Sequence, residues 1–242
     1  MSKTAGIILI GNEILSGKVV DANATYLCRQ FRELGVDVRK ISVIPDEVDL
    51  IAREVREFHQ GYNWVFTSGG VGPTHDDVTI EGVARGLGVG VVRHPDLVAR
   101  FQEIYQGPLN EARLKMTEIP ESAELLALDS LIVPVVMIRN VFVFPGVPEI
   151  FRQKFEAIKE RFRQEPFLMR SVYVRIGEGT LAAHLNAMLR EFPDLLCGSY
   201  PEFSNPEYKV RVTLESKARE YLEHALRDLL SRLPLDAVVR IQ

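Results

Sequence analysis

Ala5–Ile10 is a continuous apolar run of strand length. A strand with no polar face is buried on both sides, as in a parallel sheet covered by helices above and below. The residues that follow supply such helices. Asp21–Leu34 places Leu27, Phe31 and Leu34 at helical spacing and stops at Gly35. Val36–Ile44 is β-branched and strand-like. Asp46 and Asp49 open a helix with Ile51, Val55 and Phe58 inward and Gly61 at its end, and Asn63–Thr67 is a further short strand. Parallel strands need crossovers, so this alternation predicts a doubly wound, mostly parallel α/β sheet.

The middle is less regular. Helices are expected over Val78–Leu87, Pro95–Tyr105 and Asn110–Thr117, and a hairpin from Val135–Ile138 and Val141–Phe144. Glu149–Arg163 reads as one long charged helix with Phe151, Phe155, Ile158 and Phe162 inward, and Pro166 marks a boundary. Beyond it the character changes. Val172, Val174 and Ile176 alternate with polar neighbours. A helix carries Leu181, Leu185, Met188 and Phe192, and Leu196–Tyr200 is a candidate strand. Tyr208, Val210, Val212 and Leu214 alternate strictly with polar residues. A helix with Leu222, Leu226, Leu229 and Leu233 precedes a last strand, Ala237–Ile241. The order β-α-β-β-α-β is the split βαβ pattern. The expected division is a doubly wound domain over 1–165 and a small α+β domain over 167–242.

Charge and cysteine usage narrow the function. Twenty-nine Lys and Arg against 33 Asp and Glu give a net charge of −4 in 242 residues. That disfavours a non-specific nucleic-acid binder, which carries excess positive charge. Cys28 and Cys197 form neither a disulfide framework nor a zinc spacing and suit a reducing compartment. The start, Met1-Ser2-Lys3-Thr4, has no signal core, and the longest apolar stretch, Leu131–Ile138, is far short of a membrane span. A cytoplasmic chain without a membrane partner is expected.

The segment richest in chemistry is Ser68-Gly69-Gly70-Val71-Gly72-Pro73-Thr74-His75-Asp76-Asp77. It joins a strand to a helix, and in open parallel sheets ligands bind beyond the carboxyl ends of strands. Glycines let backbone N–H groups approach an anion, and a helix start adds unpaired donors. Thr74 with Asp77 resembles a capping box. As a plain capped turn, each aspartate would contribute only about 0.3–1 kcal/mol through the helix dipole. Three glycines, a proline and two adjacent acids within ten residues favour a functional reading. Phosphate and two carboxylates repel unless a divalent cation lies between them, and Mg²⁺ takes one or two carboxylates plus phosphate oxygens. Asp76 and Asp77 are therefore the candidate metal ligands. Gly11-Asn12-Glu13 follows the first strand and can face this loop, with Glu13 ligating metal or orienting water. Asp21 reads equally as a site residue or an N-cap. Pro145-Gly146 stands at a third strand-to-helix junction.

Other signals are weak. Gly86-Leu87-Gly88-Val89-Gly90 follows a helix rather than a strand and reads as a C-cap. No Lys-Ser/Thr follows a glycine loop, which excludes a P-loop. Cys28 reads as packing, and His75 as either a phosphate contact or a structural residue. His59, His94, His184 and His224 read as surface residues. Tyr173, Tyr208 and Tyr221 belong to core or sheet surface rather than a stacking platform.

These residues resemble the molybdopterin-binding (MoCF biosynthesis) superfamily, which includes gephyrin-type domains and the N-terminal half of competence/damage-inducible protein A. The carrying motifs are Gly11-Asn12-Glu13-Ile14-Leu15-x-Gly17, Asp21-x-Asn23, Ser68–Asp77 and Phe144-Pro145-Gly146-Val147-Pro148. Similarity to the molybdopterin-binding domain of eukaryotic-type FAD synthases runs nearly end to end and includes Val43–Val48, Arg139–Gly146 and Gly198-Ser199-Tyr200-Pro201. The resemblance implies a homo-oligomer that binds a nucleotide or pterin. It also implies metal-dependent cleavage of a nucleotide pyrophosphate such as FAD or ADP-ribose, with Mg²⁺ or Co²⁺ and in some relatives K⁺. By motif position, Asp76 and Asp77 would be the acids of the catalytic loop. Gly69, Gly70, Gly72 and Thr74 would form the phosphate or pterin cradle. Gly11, Asn12 and Glu13 would complete the site, with Ser68, Pro145 and Gly146 in the same ligand-binding segments.

Two departures stand out. Most relatives have Gly-Asp-Glu at positions 11–13, and Asn12 supplies no charge. The Gly-x-Ala-x-Gly segment of the competence family is replaced near Pro134–Ile138. Ending at Gln242, the chain is expected to lack the adenylyltransferase and deamidase domains. Three functions therefore compete: a metal-dependent pyrophosphatase, a molybdopterin-binding protein of cofactor biosynthesis, and a non-catalytic oligomeric binding module.

Overall fold

The computed structural model describes residues 3–127 and 129–242; Met1, Ser2 and Leu128 lie outside them. The chain divides into two compact units, Met1–Gln164 and Glu165–Gln242.

The first unit opens with β1 (Thr4–Ile10), a single helical turn α1 (Asn12–Leu15), α2 (Asn23–Glu33), β2 (Asp37–Ile44), α3 (Val48–Gly61) and β3 (Trp64–Ser68). It continues through α4 (Thr79–Leu87), β4 (Val91–Arg93), α5 (Pro95–Tyr105), α6 (Glu111–Lys115), β5 (Glu118–Pro120) and β6 (Glu124–Leu126). The hairpin β7 (Val135–Ile138) and β8 (Val141–Phe144) leads to α7 (Pro148–Ile158). The main sheet runs β2-β1-β3-β8-β7-β6. β2, β1, β3 and β8 are mutually parallel, and β7 and β6 extend the sheet by antiparallel pairing.

Strand alternation divides the core between the two sheet faces. Ala5, Ile7 and Leu9 join Phe66, Phe142 and Phe144 beneath α2 and α7, whose Phe31, Phe151 and Phe155 complete an aromatic cluster. Ile8, Ile10, Val65, Val141 and Val143 point the other way, against Ile51, Val55 and Phe58 of α3 and Val83 of α4. Each of the buried Val, Leu, Ile and Phe side chains contributes about 1.5–3 kcal/mol over exposure, so slipping β1 by one residue would misplace both layers.

The second unit has β9 (Leu168–Val174), α8 (Glu178–Glu191), β10 (Leu196–Pro201), β11 (Val210–Ser216), α9 (Arg219–Arg232) and β12 (Val238–Ile241). Its antiparallel sheet, β10-β11-β9-β12, packs Val172, Val174, Val210, Val212 and Leu214 against Leu181, Leu185, Leu222 and Leu229 of the two helices.

Several expectations are corrected. The helix expected from 149 to 163 ends at Ile158, and Lys159–Phe162 tightens into a 3₁₀ turn, a common way to finish a helix. That turn still buries Phe162, against Trp64, Phe66 and Phe142. β5 and β6 were not expected; three residues are too few to show alternation. Segment 12–15, read as loop, makes one helical turn. His59 is not a free surface residue: it is half-buried and its ring contacts Asn140. His94 caps α5 by accepting the Asp96 N–H at 3.3 Å. Gly88 caps α4 in the left-handed conformation, as its sequence position indicates. No helix among the described residues is long and apolar enough to cross a membrane.

Candidate functional site

β1 leads out to β2 on one side, and β3 returns on the other side of β1. That reversal is where a doubly wound sheet opens a crevice beyond its strand ends. The register aligns the ends: Ile10 pairs with Ile44, Leu9 with Ser68, and Ser68 with Phe144. Four junctions therefore converge on one edge, namely Gly11-Asn12-Glu13, Pro45-Asp46, the loop 69–77, and Pro145-Gly146.

Backbone contact welds them together. Gly69 has φ +106, and a Cβ there would overlap the Ile10 carbonyl oxygen. Its N–H donates to Phe144 O at 3.2 Å, and Gly11 N–H donates to Ile44 O at 3.1 Å. Gly146 packs on the same residue, since a Cβ at position 146 would stand 3.4 Å from Gly69 Cα. Asn23, 3% exposed, donates from Nδ2 to Ser68 Oγ and to Gly146 O, both at 2.9 Å. Ser68, Pro145, Gly146 and Asn23 thus brace the site from beneath. Asp21 accepts from the N–H groups of Asn23 and Ala24, so its carboxylate serves as the α2 cap.

The helix after the glycine loop begins at Thr79, later than the capping-box reading requires. Thr79 holds the junction by donating from Oγ1 to Gly69 O at 2.7 Å and from N to Gly70 O at 3.1 Å. Thr74 and Asp77 instead close a turn ahead of the helix. Asp77 Oδ2 accepts from Thr74 N at 2.8 Å and from Thr74 Oγ1 at 2.5 Å. Lys115 of α6 donates to Thr74 O from outside. Asp77 lies against Gly72, where a Cβ would come within 2.6 Å of Oδ2. No hydrogen bond among the described residues takes up the N–H groups of Gly70, Val71 or Gly72.

The two adjacent acids line different cavities. Asp76 shares a cavity of about 610 Å³ with Asn12, Glu13, Ser16, Lys18 and Asp46. Asp77 lines a second cavity of about 510 Å³, whose walls include Val71, Ile80, Val133, Val136 and Ile150. Asp76 is 60% exposed. The neighbouring Thr74 hydroxyl, then its own N–H, hold its carboxyl below the ordinary range. His75 is exposed beside it. Glu13 folds over Gly11, placing Oε1 within 2.5 Å of where a Cβ would stand. Among the described residues, no three His, Cys, Asp or Glu side chains are grouped to hold a metal ion.

Two residues that line these cavities escaped the sequence reading. Asp46, taken as a helix opener, stands half-buried beyond β2 and accepts the Asn12 N–H at 2.8 Å. The strand-end rule that located the glycine loop applies equally to it. Lys154 lies in the apolar stripe of α7 with Phe151, Phe155 and Ile158, and a charge in such a stripe is itself a signal. Cys28 packs against the phenylalanine core, where burial raises its thiol pKa, helped by Asp21.

Fold and edge together define a protein of the molybdopterin-binding class, and the chain belongs to that MoCF biosynthesis family. Residues 6–168 match the profile described as a probable molybdopterin binding domain, and residues 166–242 match the FAD synthase middle domain. A protein of Archaeoglobus fulgidus is 36% identical over 221 residues, covering 91% of this chain and 94% of its own. A probable FAD synthase of Caenorhabditis elegans is 34% identical over 262 residues, covering 95% of this chain, which spans 50% of that protein's length. Among solved structures, the protein CinA of Thermoplasma acidophilum superposes with a TM-score of 0.61 at 31% identity, over 66% of this chain and 98% of that one.

Proposed function

We propose that this chain binds a phosphorylated heterocycle, a nucleotide or a pterin such as molybdopterin, with its phosphate on the loop 69–72. One observation carries this reading: three consecutive N–H groups that have no hydrogen-bond partner among the described residues lie at the sheet's switch point, where the loop borders a ligand-sized apolar cavity. Backbone donors held by the Gly69–Ile10 contact and by Thr79 need no reorganisation to receive an anion. Calorimetry should show pyrophosphate, FAD or ADP-ribose binding to the wild type and losing most of its affinity in Gly70→Val. Equal binding by both proteins refutes the reading.

A second reading, metal-dependent cleavage of FAD by water to FMN and AMP, is favoured by the carboxylates lining the other cavity. Glu13, Asp46 and Asp76 offer the hard oxygen donors that Mg²⁺ or Co²⁺ prefers. Because no three such side chains among the described residues are grouped to hold an ion by themselves, the ion would arrive on the ligand's phosphate, with K⁺ as a further monovalent contributor. Such an ion would supply positive charge to the phosphoryl group and acidify a bound water. Asp46 and Asp76 would hold it, Glu13 would orient the attacking water, and Asp77 would keep the loop in shape. The loop N–H groups would receive charge developing on the phosphoryl oxygens. Asp76→Ala should abolish metal-dependent release of FMN while leaving the fold intact; undiminished turnover would remove Asp76 from this role.

A further inference from the structure

The loop accounts for a phosphate but not for a buried lysine of the apolar cavity, Lys154. Lys154 is 7% exposed, and its Nζ donates to Pro134 O at 2.7 Å. An ammonium carries three donors and no acceptor, so further N–H groups remain to be satisfied. Asp77, Glu81 and Glu118 also line the cavity, yet none forms an ion pair with Lys154 among the described residues. Burial lowers its pKa to about 8, so the charged form still prevails at neutral pH. Keeping a charge in such surroundings is costly unless acceptors reach it.

The walls narrow what those acceptors can belong to. Val71, Ile80, Val136 and Ile150 suit the face of a flat ring rather than a second hydrated anion. We propose that the cavity takes the ligand's heterocycle and that Lys154 donates to a ring carbonyl oxygen, selecting oxo-heterocycles over adenine. The inference rests on the reading that the ligand's phosphate lies on the loop. An exocyclic amine at the same position would set donor against donor and leave the ammonium unsatisfied. Pterins, flavins and 6-oxopurines all present such a carbonyl, and adenine does not.

IMP and AMP differ at that position, which makes them the probes, with inorganic pyrophosphate as the loop's control. Titrated calorimetrically into the wild type, IMP should bind at least about tenfold more tightly than AMP. Lys154→Met should erase that preference and leave pyrophosphate affinity unchanged. AMP binding as tightly as IMP to the wild type, or a preference surviving in Lys154→Met, overturns the role of Lys154 while the phosphate reading stands. Failure of pyrophosphate and both nucleotides to bind the wild type overturns the loop reading, and this inference with it. The wild-type order decides without the variant should Lys154→Met not fold.

Discussion

The loop 69–77 contributes residues to two cavities of comparable size and opposite character. On one side Glu13, Asp46 and Asp76 stand around about 610 Å³ with Lys18 as the cation. On the other, mostly aliphatic walls enclose about 510 Å³ around the buried Lys154. Glu13 and Asp76 are exposed and stay hydrated, so their charges cost little. Lys154 has lost its water and is held by one carbonyl. The difference teaches that adjacency along the chain is not adjacency in a site. Asp77 folds back onto Thr74, and the neighbouring carboxylates line different cavities. A ligand with both a polyphosphate and a ring matches this division better than one with either part alone.

The sharpest way to break the comparison is to remove the seam both cavities share. Gly69→Ala forces a side chain into a positive-φ residue and onto the Ile10 carbonyl. Strain of that kind with backbone overlap should cost about 3 kcal/mol or more. Urea unfolding would show it as a lowered midpoint, and pyrophosphate binding should fall as well. A midpoint shift worth less than about 1 kcal/mol would mean that the two loops are not welded as described.

The buried ammonium should be visible in stability against pH. Lys154 falls from 10.5 to about 8 in the folded chain. Below pH 8 both folded and unfolded forms carry the proton, and the desolvation penalty is present in full. Between pH 8 and 10.5 the unfolded chain binds more protons, so stability rises with pH across this window. The difference of about 2.5 units corresponds to about 3 kcal/mol. Measured as the difference between wild type and Lys154→Met, which cancels other titrations, the rise should appear only in the wild type. A flat difference from pH 7 to 10.5 would show that the ammonium is solvated.

Much of this was legible in the sequence, because burial on two faces leaves a strong mark. Ala5–Ile10 announced a central parallel strand, and the strict alternation of 208–215 announced a sheet with one wet face. The glycine loop and the segments at 11–13 and 145–146 were found by the strand-end rule, and the register brings them to one edge. What escaped depends on side-chain direction and on contacts far along the chain. The sequence shows Asp76 and Asp77 as a pair; only the turn made with Thr74 parts them. Asp46 is remote from Asn12 in sequence, and its role emerges only when β1 and β2 lie side by side. The short strands β5 and β6 carry too few residues for any period to register.

The smallest effect is also the most discriminating, since it separates the two aspartates themselves. Asp77→Asn weakens a charge-assisted acceptor for the Thr74 N–H and hydroxyl, so it should destabilise the loop by about 1 kcal/mol. Asp76→Asn removes an exposed charge whose local contacts are the Thr74 hydroxyl and its own N–H, without the Thr74 N–H bond that Asp77 makes, so the unfolding midpoint should hold within about 0.5 kcal/mol. The functional order should be reversed. If the acidic cavity receives a metal-bound phosphate, Asp76→Asn should suppress metal-dependent binding or turnover, while Asp77→Asn should weaken it only through the loop's shape. Thermal melts and metal titrations on both variants check the two orders together. Equal loss of metal response would mean that the carboxylates act jointly, and the division of the loop into an acidic and an apolar side would lose its functional meaning.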